Sequence, residues 1–367
     1  MTVVFDDYLE ALLSANTSAA TELLDDALMR GTSPVSLIRD IIGRGQQEIG
    51  ESWARGSLSL GEEHAATAVS EQALAVVSQS LPASPRGKRV ALACAEGEWH
   101  TMPARLAGAQ ARAAGLQVTM LGASLPADQL QAHLLRTAPD VLALSVTLSS
   151  NLVGASKSIQ AAHRAGVAVI VGGAAWGTDD LRARALGADH WLGDVSGFAQ
   201  VVDAVLAHDA LVVSPLVATE AVLLAEAPPT LAAQAMDRHL AQGSPEVLSP
   251  EQLDERLLDY AWLRRYTASA LACADPTILA EMLERWAASL ARHACDPHWV
   301  VAACGHLAAV TDPVAPAASA LLRRVGEQHA ATRSHEASRP ANDVRDDAAS
   351  VGVPRWQGPV SSHPAHR

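Results

Sequence analysis

At 367 residues, with 49% apolar and 18% charged side chains, the chain is long and apolar enough for two or three domains with their own cores, and it is not disordered overall. A net charge of −13 without any basic stripe argues against nucleic acid as a direct partner. No apolar run reaches the roughly 20 residues of a membrane span, and the acidic start MTVVFDDYLEALL lacks the basic region of a signal peptide, so a cytoplasmic, membrane-free protein is expected.

In chain order, residues 1–82 read as helices. Leu9, Leu12 and Leu13 give one apolar stripe, and Leu23, Leu24, Ala27 and Leu28 a second. Val35, Ile38, Ile41 and Ile42 give a third that runs on to Trp53, and Leu60 to Leu81 a fourth through Ala66, Val69, Leu74 and Val77. Asn16–Ser18, Gly31–Pro34 and Gly56–Ser59 punctuate them, which predicts a four-helix bundle on short connections. The first stripe begins near residue 5, so no DNA-reading helix-turn-helix is expected ahead of it.

After a Pro/Ser linker from Leu81 to Gly87 the texture changes. Short apolar runs at Arg89–Cys94, Val118–Leu121, Val141–Val146, Val167–Val171 and His190–Leu192 alternate with helical patterns at Pro103–Ala114, Ala127–Thr137, Leu152–Ala165 and Asp179–Leu186. Such alternation means βα units and a parallel sheet covered on both faces. Residues 87–206 therefore predict a Rossmann-like, doubly wound domain of the flavodoxin type, with its ligand at the carboxyl ends of the strands. Residues 207–250 read as a linker with some helix, 251–327 as a helical domain, and 328–367, rich in Ser, Pro, His, Asp and Arg, as a disordered tail. The fold class is thus α/β plus all-α.

The first βα loop reads Glu96-Gly97-Glu98-Trp99-His100-Thr101-Met102-Pro103. It puts an imidazole at the ligand edge of the sheet, with a carboxylate two residues earlier placed to orient a metal-ligating ring. Ser145, Thr147, Leu148, Ser149 and Ser150 follow the third strand, and Gly172-Gly173 the fourth. No P-loop, no HExxH and no defensible Ser/His/Asp spacing accompanies them, so the chain is expected not to be an enzyme. Four cysteines, Cys94, Cys273, Cys295 and Cys304, form no CxxC pair and are expected to be unpaired.

Glu98 and His100, then Ser145 and Leu148, then Gly172 and Gly173, resemble the cobalamin-binding domain over residues 87–206. The resemblance implies that His100 is the lower ligand of cobalt. It also implies that the displaced nucleotide tail enters a slot lined by Ser145 and the two glycines, with Thr147, Ser149 and Trp99 nearby. Pro103 stands where the family usually has glycine, an acceptable residue in a first helical turn. Trp53, nine residues, then Glu63-His64 resembles the bundle of CarH-like adenosylcobalamin photoreceptors. In those proteins an indole covers the adenosyl group while Glu and His bond its sugar and base. The His that follows this Trp in DNA-binding members is Ala54 here, so capture of cobalt by that position is excluded and His64 or water is left to take it.

Helical mass beyond the sheet gives an arrangement that resembles the photocobilins, which join such a sensor to a C-terminal helical domain for biliverdin. Tyr260, Arg264, Tyr266, Trp286, His293, His298 and Trp299 have the residue types a bilin slot needs, with Trp262, Arg265 and His306 beside them. Cys273, Cys295 and Cys304 are thiols that could in principle attach a bilin, but buried structural thiols are the expected reading. The resemblances imply a photoreceptor in signal transduction, using adenosylcobalamin and biliverdin, with light-dependent self-association or contact with a downstream signalling protein. A corrinoid carrier in a methyltransferase system is the alternative.

Overall fold

The structure is a computed structural model that describes residues 2–82, 87–207, 211, 217–242, 249–292, 296 and 298–337. By their contacts they fall into two bodies, residues 1–50 with 61–217, and residues 51–60 with those from 218 on.

The first body opens with α1 (Thr2–Leu13) and α2 (Thr17–Met29), where Asn16 caps α2 by accepting from the Ala19 amide at 3.0 Å. A short α3 (Pro34–Ser36) runs through a π-helical segment, Leu37–Gly43, into α4 (Arg44–Ala54), and α5 (Leu60–Ser78) follows. Leu12, Leu24, Ile38, Ile41, Ile42, Val69 and Val77 are buried, so each predicted stripe contributes to the core, whereas Leu13 and Val35, read into the first and third stripes, are exposed. The Tyr8 hydroxyl, wholly buried, donates to Ser70 Oγ at 3.3 Å and ties α1 to α5. A Cβ on Gly45 would sit 2.9 Å from the Tyr8 ring, so glycine is what lets α4 pass there.

The sheet follows as β1 (Arg89–Cys94), α6 (Met102–Ala113), β2 (Gln117–Gly122), α7 (Ala127–Thr137), β3 (Val141–Ser145), α8 (Leu152–Arg164), β4 (Ala168–Gly172), α9 (Leu181–Ala185), β5 (His190–Leu192) and α10 (Phe198–Leu206). All pairs are parallel in the order β2-β1-β3-β4-β5. That order reverses between β1 and β3, where Cys94 lies opposite Ser145, and the loops leaving these two strands flank the switch point where doubly wound folds bind ligands. Every residue of β3 is buried, as expected for a strand covered on both faces. On the far side His163 Nε2 meets Asp189 Oδ2 at 2.8 Å, and the same oxygen accepts from the Val169 amide, pinning α8 to the β4–β5 edge.

The second body is helical: α11 (Thr219–Glu226), α12 (Thr230–Ala241), α13 (Pro250–Ala272), α14 (Thr277–Arg292), α15 (Trp299–Thr311) and α16 (Pro316–Ala337). Ser249 and Gln252 form a reciprocal capping box at the start of α13, with Pro250 in its first turn. One expectation is filled in here and one changes. The stretch 207–250, read as a linker with some helix, carries α11 and α12, which pack on α13 and α15 through buried Ala221, Leu224, Ala235 and Met236. Residues 328–337, read as the start of a disordered tail, continue α16, because Leu322, Val325 and His329 extend its buried face. Residues 338–367 and the linker residues 83–86 lie outside the described residues. Among the described residues no helix is long and apolar enough to cross a membrane.

Asp259 sits inside this second body, 3.2 Å from Arg256. Burial raises its carboxyl to about 7, with the Arg256 charge and hydrogen bond pulling the other way. A carboxyl raised on folding lends stability that is complete below its ordinary 3.8 and disappears as pH climbs through about 7. The urea midpoint of the chain is therefore expected to fall between pH 5 and pH 8, and Asp259→Asn to flatten that fall. An unchanged pH slope in the variant would show that another group sets it.

Candidate functional site

The loop after β1 is hung on its neighbours by backbone bonds. The Ala95 amide donates to the Ser145 carbonyl at 3.2 Å, the Ser124 amide to the Glu98 carbonyl at 2.9 Å, and the Gly97 amide to Ser124 Oγ at 3.1 Å. Cys94 Sγ reaches the His100 carbonyl at 3.7 Å, and its thiol is pushed up to about 12 by burial and then by the Glu98 charge, so it stays protonated.

Glu98 is the centre of this arrangement and is 0% exposed. Its Oε1 accepts from the His100 amide at 2.9 Å and from the His100 ring, Nδ1, at 2.6 Å. Its Oε2 accepts from the amides of Thr147 and Leu148 at 2.8 and 3.0 Å and from Asn151 Nδ2 at 3.0 Å. Burial alone raises the carboxyl's pKa. The hydrogen bond and charge of His100 and the Leu148 and His100 amides outweigh it and hold the group at about 2, so it is a carboxylate. An acceptor-only partner assigns the ring proton to Nδ1 and leaves the Nε2 lone pair available on a side chain that is 47% exposed. Partial burial lowers the imidazole's own pKa, but the hydrogen bond and charge of Glu98 and the charge of Glu63 raise it on balance. Asn151 is the member of this set that no sequence motif singled out, and the Leu148 contribution comes from its backbone.

Beside this pair a cavity of about 380 Å3 opens between the sheet and α6 and α10, lined among others by Pro103, Ala107, Ser145, Gly172, Leu192 and Phe198. The two glycines differ in role. Gly173 holds φ +107°, and a Cβ there would lie 2.3 Å from the Val146 carbonyl oxygen, so the backbone itself demands glycine. A Cβ on Gly172 would meet nothing closer than 3.5 Å, so its missing side chain leaves room in the cavity. Of the hydroxyls, Ser149 Oγ donates to the Ala175 carbonyl at 3.5 Å, whereas Thr147 Oγ1 and Ser150 Oγ are buried without a partner. Buried polar atoms of that kind call for a partner from outside the chain or a water. The open imidazole, the apolar cavity and the orphaned hydroxyls fit the cobalt ligand and tail slot of a cobalamin.

In α5, the Glu63 side chain is 20% exposed and carries His64 Nε2 3.6 Å from its Oε2, with His64 facing outward. Trp99 is 58% exposed beside His100. Trp53, in the last turn of α4, is half-buried, and its Nε1 is buried without a partner. Among the bilin candidates, Tyr260, Tyr266 and Trp286 are fully buried and Trp299 nearly so, with Trp299 edge-on to both Tyr260 and Trp286. They form the core of the second body. Arg264 donates to the Leu224 and Ala225 carbonyls, and His298 is exposed. The Tyr260 hydroxyl donates to His306 Nδ1 at 2.9 Å, since His306 Nε2 donates to Gln242 Oε1 at 3.0 Å. Cys273 and Cys304 are buried, and burial pushes the Cys304 thiol up to about 12. His293 and Cys295 lie outside the described residues.

Comparison with known proteins gives two matches to B12 binding domain families, one over residues 88–213 and a second over residues 4–78. The HTH-type transcriptional repressor CarA of Myxococcus xanthus is 40% identical over 88 residues, 24% of this chain and 31% of that protein. CarH, an HTH-type transcriptional repressor of the same organism, is 29% identical over 175 residues, 45% of this chain and 57% of that protein. The chain thus spans about a third and just over half of these two relatives. The trimethylamine corrinoid protein of Methanosarcina barkeri is 26% identical over 173 residues, 45% of this chain and 80% of that protein. The chain carries a cobalamin-binding module.

Proposed function

We propose that this chain is a light sensor, not an enzyme, whose chromophore is adenosylcobalamin. The cobalamin part is carried by one observation: a buried carboxylate with five donors fixes His100 Nδ1 and frees Nε2, in a loop whose end, Pro103, lines a cavity together with Ser145 and Gly172. His100 is the lower cobalt ligand in this proposal, and Ser145, Thr147, Ser149, Ser150 and Gly172 receive the nucleotide tail. Adenosylcobalamin, when bound, supplies a cobalt–carbon bond that visible light breaks. The sensor part rests on Trp53, Glu63 and His64, the pattern that the CarH-like photoreceptors show, and on the similarity to CarH itself. The output is a change in self-association or in contact with a downstream signalling protein. Biliverdin is proposed as a second chromophore of the helical body, on the resemblance to the photocobilins.

A corrinoid carrier in methyl transfer is the second reading, favoured by the match to 80% of the length of a trimethylamine corrinoid protein. The test is an absorption spectrum of protein loaded with adenosylcobalamin and biliverdin, before and after green light, with molecular mass read in parallel. A cobalamin band and a mass that both change on illumination are expected, with His100→Ala altering the dark spectrum. Adenosylcobalamin that binds yet survives light with no change in mass would favour the carrier. A missing long-wavelength bilin band would remove biliverdin and leave the cobalamin sensor standing.

A further inference from the structure

Two side chains that no motif singled out connect α4 to Glu63. Gln46 Nε2 donates to Thr67 Oγ1 at 2.6 Å, and Thr67 Oγ1 lies 2.9 Å from Glu63 Oε1. The direction of this chain is fixed by chemistry. An amide nitrogen only donates, so Thr67 accepts from Gln46, and its single hydroxyl hydrogen goes to the carboxylate. All three residues are at most partly exposed. A tie between two helices needs only apolar packing. A hydroxyl and an amide in series do something apolar residues cannot, because they choose one rotamer of a carboxylate and orient its lone pairs. One Glu63 oxygen is held by Thr67 and the other lies 3.6 Å from His64 Nε2, yet each carboxylate oxygen has a further lone pair to offer. The Glu63 charge is one of those that raise the His100 ring, so the two side chains lie within electrostatic reach of each other.

We propose that Gln46 and Thr67 are positioning residues that hold the Glu63 carboxylate as an acceptor for hydroxyl groups on the cofactor's upper ligand, so that the chain selects a sugar-bearing adenosyl group over methyl. A vicinal diol donates to a pre-set carboxylate, whereas a methyl group offers it nothing and leaves it to water. This proposal rests on the adenosylcobalamin reading and names what enforces it.

The experiment measures dissociation constants of adenosylcobalamin and methylcobalamin in darkness, by absorption titration of the full chain, and reads their ratio. Wild type is expected to prefer adenosylcobalamin. Thr67→Val, which keeps the shape and removes the hydroxyl, is expected to cut that preference about tenfold, the size of one mis-set hydrogen bond to a charged acceptor. Thr67→Ser, which restores the hydroxyl, is expected to keep it. A purely structural tie would weaken both ligands together and leave the ratio alone. If Thr67→Val does not fold by far-UV circular dichroism, Gln46→Met reads the same chain from its other end. A wild-type preference that survives in the variant overturns the positioning role and spares the adenosyl reading. A wild type without preference overturns both.

Discussion

Replacing Glu98 by Gln is expected to lower the stability of the sheet domain by about 3 kcal/mol and to weaken cobalamin binding by about 10- to 100-fold. The change is nearly isosteric, and it fails for a reason that counting makes plain. Five donors converge on this side chain and no acceptor faces it: two from His100 on one oxygen, and Thr147, Leu148 and Asn151 on the other. An amide must present its NH2 to one of these groups. Whichever way it turns, at least two buried donors lose their acceptor and meet another donor. If the amide nitrogen faces the ring, the imidazole also loses the partner that fixes its tautomer, and the Nε2 lone pair is no longer kept free to act as a ligand. Urea unfolding followed by circular dichroism measures the first effect and absorption titration the second. A variant as stable as wild type would mean that the loop rearranges to supply new acceptors.

The second large effect separates two neighbouring glycines. Gly173→Ala is expected to destabilise the domain by about 3 kcal/mol or more, since it combines a left-handed φ of +107° with a Cβ 2.3 Å from the Val146 carbonyl oxygen. Gly172→Ala meets only ordinary contacts, so folding should change by less than about 1 kcal/mol. Its methyl group would occupy the cavity, however, and cobalamin affinity is expected to fall about tenfold. The same two assays applied to both variants read this as a loss of stability in one and a loss of binding in the other. Equal losses of stability at the two positions would show that the cavity wall is as tight as the β4 turn.

These two glycines illustrate what the sequence makes legible and what it hides. Gly-Gly after a strand announces a close approach, but only the backbone distances say that Gly173 serves the chain and Gly172 the cavity. The sheet is readable because its strands are short apolar runs bounded by turns, and Arg89–Cys94 and His190–Leu192 have the bounds their runs predict. Glu98 and His100 are readable because a single residue, Trp99, separates a carboxylate from an imidazole in one loop. Asn151 is not, because it reaches Glu98 across 53 positions of sequence and resembles any polar residue opening a helix. Gln46 and Thr67 are hidden in the same way, 21 positions apart on two helices. The helices of 219–241 read only as some helix within a linker because prolines at 228 and 229 break their periodicity, although Ala221, Leu224, Ala235 and Met236 are core residues. At the other end, the polar composition of 328–337 conceals a helix whose inward face is carried by few side chains, His329 among them.

The π-helical turns at Leu37–Gly43 govern the angular phase of everything downstream in that helix. A regular α-helix advances about 100° per residue, so widening the winding by one residue resets which side of α4 faces α5. With uniform α winding from Pro34, Gln46 would point roughly a quarter-turn away from Thr67, and Gly45 would no longer be the residue that passes the Tyr8 ring. The widened stretch thus works as a spacer in rotation, not in length. Side chains on α4 can be re-aimed by the insertion or removal of a single residue upstream, with no change to the residues themselves.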